Sequence, residues 1–111
     1  MMQGDSYGLK ISIVSDNITG TPGQTTDRSV TPDYVSDVEI TVGIIRKTYA
    51  KGEVFYESGQ GWIVPLTQDE TFKLPAARVK AQVRVVWKDG SVEGASLGEI
   101  RVDESISKVV L

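Results

Sequence analysis

The residue types able to do chemistry are few, and their spacing points away from a catalytic centre. Asp69 and Glu70 are the adjacent acidic pair that matters most, because two carboxylates can divide acid and base work. A working pair faces across a cleft, whereas side chains adjacent in sequence usually diverge. Acidic residues also suit the first turn of a helix, where the helix dipole favours negative charge. Thr67, with Glu70 three residues later, has the spacing of a capping box. A structural role is expected for the pair. Asp16, Asn17, Asp27 and Asp33 are oxygen donors in or beside a polar stretch, but no EF-hand spacing links them. They read as turn residues, and no metal site is expected. Asp103 and Glu104 read as a solvated edge.

The missing residue types narrow the field further. There is no cysteine, which removes disulfides, thiolate zinc sites, iron–sulfur clusters and a cysteine nucleophile. There is no histidine, which removes the commonest general base and transition-metal ligand. An enzyme would have to work with carboxylates or Ser-Lys chemistry, and no such constellation stands out. The expectation is a non-enzymatic protein without a cofactor. Twelve basic and fifteen acidic residues give a net charge of −3, with the basic ones scattered. A nucleic-acid binder would gather them on one face, so no nucleic-acid partner is expected. No run approaches the roughly 20 apolar residues that span a bilayer, and no membrane partner is expected. The start, Met1-Met2-Gln3-Gly4-Asp5-Ser6, lacks the basic and apolar regions of a secretory signal, which predicts synthesis in the cytosol.

Aromatic residues are the remaining candidates. Trp62, Tyr56, Phe55 and Trp87 could supply a sugar-binding platform, a protein interface or core. Trp87 is in phase with the apolar face of its segment and reads as core. Trp62 stands beside a Gly-rich turn and is expected to be partly exposed, with Tyr56 its nearest companion.

These residues must be positioned by short strands. The 111 residues fit one domain, expected to span 1–111. Leu9 to Val14 alternates apolar and polar residues as a half-buried strand does. Residues 15–31 are almost wholly polar, Gly or Pro, with Ile18 and Val30 the apolar exceptions, and read as a long mobile loop. Such a loop is either functional, ordered against a partner, or without a role. Val38, Ile40, Val42 and Ile44 share a face of the next strand. Arg46 to Glu53 reads as a turn, Val54 to Glu57 as a strand, and Trp62 to Val64 as another halted by Pro65. Leu66 to Phe72 is a short helical turn, expected to cross between sheets. Val79, Ala81, Val83, Val85 and Trp87 form an unbroken alternating face. Lys88-Asp89-Gly90-Ser91 predicts a hairpin with a type I′ turn. A return strand from Val92 to Leu97 with a bulge at Gly94, then a last strand from Glu99 to Val102, complete the series. Seven short strands with turns at this spacing predict an all-β, immunoglobulin-like β-sandwich with one short helical turn.

The end of the chain, 103–111, carries Ile106, Val109, Val110 and Leu111. So apolar a tail must find a surface, either on its own domain or on a neighbouring subunit.

A resemblance bears on function. Val64-Pro65-Leu66-Thr67-Gln68-Asp69-Glu70-Thr71-Phe72, Val79 to Val85, Lys88-Asp89-Gly90-Ser91, Ala95-Ser96 and Ile100-Arg101-Val102 follow one another in order. This run resembles short virion structural proteins of tailed phages and prophages, with immunoglobulin-like or baseplate-upper-protein-like sandwiches. Their usual pattern reads LTQEET, VQVRV, DG and AS. The resemblance covers roughly Val64 to Val102, while the polar stretch of the first half and the final Ser107 to Leu111 depart from it. It implies a capsid, neck, tail or baseplate component, located in the virion. The implied partners are other virion proteins and copies of itself. Host-surface glycan is the alternative partner, through Trp62 and Tyr56. The interface candidates are Trp62, Tyr56, Ile106, Val109, Val110 and Leu111.

Overall fold

Alternating side chains give each strand one apolar face, and two such faces close on each other. The structure, a computed structural model, describes residues 1–15 and 29–111. The strands are β1 (Tyr7–Ile11), β2 (Val35–Val42), β3 (Ile45–Thr48), β4 (Phe55–Glu57), β5 (Gly61–Leu66), β6 (Arg78–Trp87) and β7 (Val92–Arg101), with helix α1 (Gln68–Phe72) between β5 and β6. One sheet runs β1-β5-β4 and the other β3-β2-β6-β7, and all strand pairs are antiparallel. Taking β1 to β7 as strands B, C, C′, D, E, F and G, the order D-E-B against C′-C-F-G is that of an immunoglobulin sandwich, with no strand A among the described residues. The fold is an all-β sandwich.

The core lies between the sheets. Val38, Ile40 and Val42 of β2, Val79, Ala81, Val83 and Val85 of β6, and Trp62, Val64 and Leu66 of β5 are buried, as the period of two requires. Val54, Leu74 and Val102 close the ends. Val30 is 1% exposed and in the core, so the segment read as a mobile loop is anchored at its far end. Its amide donates to the Ile13 carbonyl at 2.8 Å. Residues 16–28 of that loop, with Asp16, Asn17, Ile18 and Asp27, lie outside the described residues.

Several boundaries differ from the expectation, each for a physical reason. Ile44 does not continue the apolar face of β2: Gly43 turns the chain, Ile44 is 76% exposed, and Ile45 takes the core position opposite Val42. Arg46 to Thr48 is therefore strand, not turn. Pro65 does not halt β5, because β4 has already ended opposite Ile63 and no ladder bond is needed on that side. The carbonyl of Pro65 instead accepts from Lys47 Nζ at 3.1 Å. The last two expected strands are one, and the register shift falls opposite Ala81 and Gln82, near Gly98, rather than at Gly94.

The Asp89-Gly90 hairpin is present, but its turn is not type I′. Gly90 has φ +92° and Asp89 does not have positive φ. Gly90 N–H donates to the Trp87 carbonyl at 2.9 Å and Trp87 N–H to the Ser91 carbonyl at 2.8 Å. That is a three-residue loop, a type I turn closed by a left-handed glycine. A side chain at Gly90 would meet nothing within 4 Å, so the strain there is in the backbone alone. Gly90→Val is expected to cost about 1–3 kcal/mol, read from the denaturation midpoint. An unchanged midpoint would mean that the hairpin does not need this conformation.

Candidate functional site

The aromatic candidates do not form a platform. Trp62 is 0% exposed and belongs to the core, which corrects its expected place at an interface. Its position on β5 opposite Ile11 points the indole between the sheets. Nε1–H donates to the Val30 carbonyl at 2.9 Å, which satisfies the indole's one polar group inside. Tyr49 and Tyr56 stand edge-on to the ring, each with its centroid 5.2 Å away, at 86° and 65°. Tyr56 is half-buried and lines a cleft of about 250 Å³ with Ser12, Ser29, Thr31 and Gln60. Phe55 is exposed elsewhere on β4, and Trp87 packs half-buried against the core. A sugar would find one tyrosine there, not two coplanar rings.

The acidic pair is structural, and its members diverge. Asp69 is exposed. Glu70 accepts from the Thr67 amide at 2.9 Å while Thr67 Oγ1 accepts from the Glu70 amide at 3.2 Å, completing the capping box. Lys47 of β3 also donates to Glu70 at 2.8 Å, which ties α1 to the opposite sheet. Burial works to raise the Glu70 pKa, but the bonds from Lys47 and Thr67 outweigh it and hold the carboxyl below its ordinary value. Such a group stabilises the fold above its unfolded pKa, and that contribution is lost as pH falls through the folded value. Glu70→Gln keeps the capping geometry and removes the charge. It is expected to cost about 1 kcal/mol at about pH 7 and less at an acidic pH at which Glu70 is protonated, by thermal melting. Equal losses at both pH values would show that the charge is irrelevant. Asp89 is also held low, first by the Ser91 hydroxyl and then by the Ser91 amide. This is ordinary turn chemistry at an exposed site. Among the described residues no group of three or more acidic side chains could hold a metal ion.

What remains unabsorbed is the end of the chain. Ile106, Val109, Val110 and Leu111 are 102%, 68%, 50% and 100% exposed. The tail lies on its own domain, but through polar anchors. Lys108 Nζ donates to Gln3 Oε1 at 2.9 Å, and the Leu111 amide to Gln68 Oε1 at 2.9 Å. Its apolar side chains face outward. Beside it is a contact that no local pattern announces. Met1 to Gln3 run parallel to the end of β7, with Met2 opposite Asp103. Gln3 N–H donates to the Asp103 carbonyl at 2.9 Å, Asp103 N–H to the Met1 carbonyl at 2.8 Å, and the Met1 amine to the Arg101 carbonyl at 3.3 Å. The outer edge of β7 from Val92 to Glu99 has no strand beside it among the described residues.

Fold and surface together define an all-β sandwich with an exposed apolar tail. Compared with known proteins, the chain matches no family model, no curated protein and no solved structure. Among the described residues no helix is long and apolar enough to cross a membrane.

Proposed function

We propose that the chain is a non-enzymatic structural protein of a tailed-phage particle, acting through contacts with other virion proteins and with copies of itself. The exposed Ile106, Val109, Val110 and Leu111 carry this reading, because a domain that buries Trp62 and Val38 completely leaves its last apolar segment in water. An apolar segment displayed on polar anchors suits a contact made in an assembly. The run from Val64 to Val102 supplies the resemblance to virion proteins, and the lack of histidine and cysteine is in keeping with a mechanical role. Many copies would multiply weak contacts through avidity. Glycan binding loses its principal ring with Trp62 in the core. The test is mass spectrometry of purified particles from the phage or prophage that encodes the chain. Its presence at stoichiometric level supports the reading, and its absence overturns it.

A further inference from the structure

Basic residues scattered along the sequence are gathered on the outer face of the β3-β2-β6-β7 sheet. Side chains paired across strands share a face, so this surface follows from the register. On β6 the outward positions are Arg78, Lys80, Gln82 and Arg84, all exposed, while the residues between them are buried. Arg101 stands opposite Arg78, and Glu99 opposite Lys80. On the other side Glu39 stands opposite Arg84, and Thr41 links Gln82 to Arg46 of β3. These four rows hold five cations and two carboxylates, a local charge of +3 in a chain of net charge −3.

Three of the cations are free to bind. Arg46 holds Glu39 at 2.6 Å, and Arg101 reaches Asp103 at 3.0 Å through Nε alone. Arg78, Lys80 and Arg84 make no ion pair among the described residues. Arg78 also faces the like charge of Arg101 directly across the ladder, an arrangement that disfavours the free protein and is relieved by an anion. Asp37, in the next row, is occupied by the Val38 and Ala50 amides. The three free cations form a stripe roughly 20 Å long on one strand. Between Lys80 and Arg84 it crosses a hollow of about 330 Å³ lined in part by Thr41, Gln82 and Ser96, with no bulky side chain in the way.

The kind of anion is set by what else the face carries. Glu39 and Glu99 stand among the cations and would repel a line of phosphates, and these rows offer no aromatic ring for a base to stack on. Guanidinium groups pair carboxylates through two parallel bonds. An extended segment repeats its side chains with the same period of two as β6. Carboxylates at alternate positions therefore fall in step with Arg78, Lys80 and, four residues on, Arg84. A second copy offers no matching acidic surface, because its exposed Asp33, Glu57, Asp69 and Asp89 stand on separate segments.

We propose that the outer face of β6 docks an extended acidic segment of another protein, with Arg78, Lys80 and Arg84 each taking a carboxylate. The proposal deepens the reading of the chain as an assembly protein and rests on it for the partner's presence in the particle.

The experiment is a fluorescence-anisotropy titration with a labelled peptide of alternating glutamate and serine, at low salt and at high salt. The full chain is expected to bind the peptide, more weakly as salt rises. Arg78→Glu/Arg84→Glu is expected to weaken binding by about tenfold or more. Lys51→Glu/Lys88→Glu makes the same change of charge off the face and should leave binding nearly unchanged. Circular dichroism checks folding, with Arg78→Gln/Arg84→Gln as the milder pair if the reversal unfolds the chain. No binding, or equal loss in the two charge-reversed variants, would overturn the proposal. Tighter binding of a single-stranded oligothymidylate of equal charge would make the face a nucleic-acid surface and overturn it too. So would sedimentation in which the full chain self-associates and the Arg78→Glu/Arg84→Glu variant does not. A chain found in virions that ignores the peptide would remove this surface and leave the assembly reading standing. A chain that binds the peptide but is absent from virions would do the reverse.

Discussion

Trp62→Ala is expected to unfold most of the population at physiological temperature. The ring has no exposed surface, and it meets Tyr49 and Tyr56 edge-on within the core. Removing a buried tryptophan side chain costs about 3–5 kcal/mol, through lost burial and the cavity left behind. The Val30 carbonyl would lose the partner that holds it at 2.9 Å, adding about 1–3 kcal/mol for an unsatisfied buried acceptor. A domain of this size is stable by about 5–15 kcal/mol in all, so little margin remains. Chemical denaturation is the measurement, with Trp62→Phe as companion. Phenylalanine keeps much of the volume and loses the N–H, so it should fall between the parent and alanine. A midpoint for Trp62→Ala close to that of the parent would mean that the indole is not the centre of this core.

Gly61→Ala is the second large effect, despite adding a single methyl group. Gly61 opens β5 with φ +92°, in the region that residues with a side chain avoid. A Cβ there would sit 2.6 Å from the Ile11 carbonyl oxygen, a backbone atom held in the β1·β5 ladder. Backbone strain of about 1–3 kcal/mol and overpacking of similar size should combine to about 3 kcal/mol or more. Gly90→Ala makes a useful comparison, because Gly90 has the same φ with open space around it. Its cost should be the strain alone, clearly the smaller of the two. Equal losses at both positions would show that β1 yields to the methyl group and that the close approach is unimportant.

Local patterns were legible wherever the determinant is local. The alternation from Val79 to Val85 places four side chains in the core and Arg78, Lys80, Gln82 and Arg84 in water. The capping box at Thr67 and Glu70 and the hairpin at Asp89-Gly90 are contained within a few residues, and both are present. The absence of histidine and cysteine needed no structure at all to narrow the chemistry. Turn type was less legible, since a glycine permits several conformations and the flanking strands choose between them.

The tertiary structure decided what depends on residues far apart in the chain. A tryptophan between Gly61 and Ile63 carries no local sign of its burial, which follows from the Val30 carbonyl and the rings of Tyr49 and Tyr56 arriving from other segments. Pro65 reads as a strand end until β4 is seen to stop short of it. Gly43 moves the core position from Ile44 to Ile45 because β3 must pair with β2. The candidate interface shows the same division. The apolar character of Ile106, Val109, Val110 and Leu111 is written in the residues themselves. The polar anchors that hold the tail, Lys108 on Gln3 and the Leu111 amide on Gln68, are not, because they form only after the whole sandwich has closed. Side-chain periodicity is a property of neighbours in sequence, whereas pairing and exposure are properties of the assembled sheets.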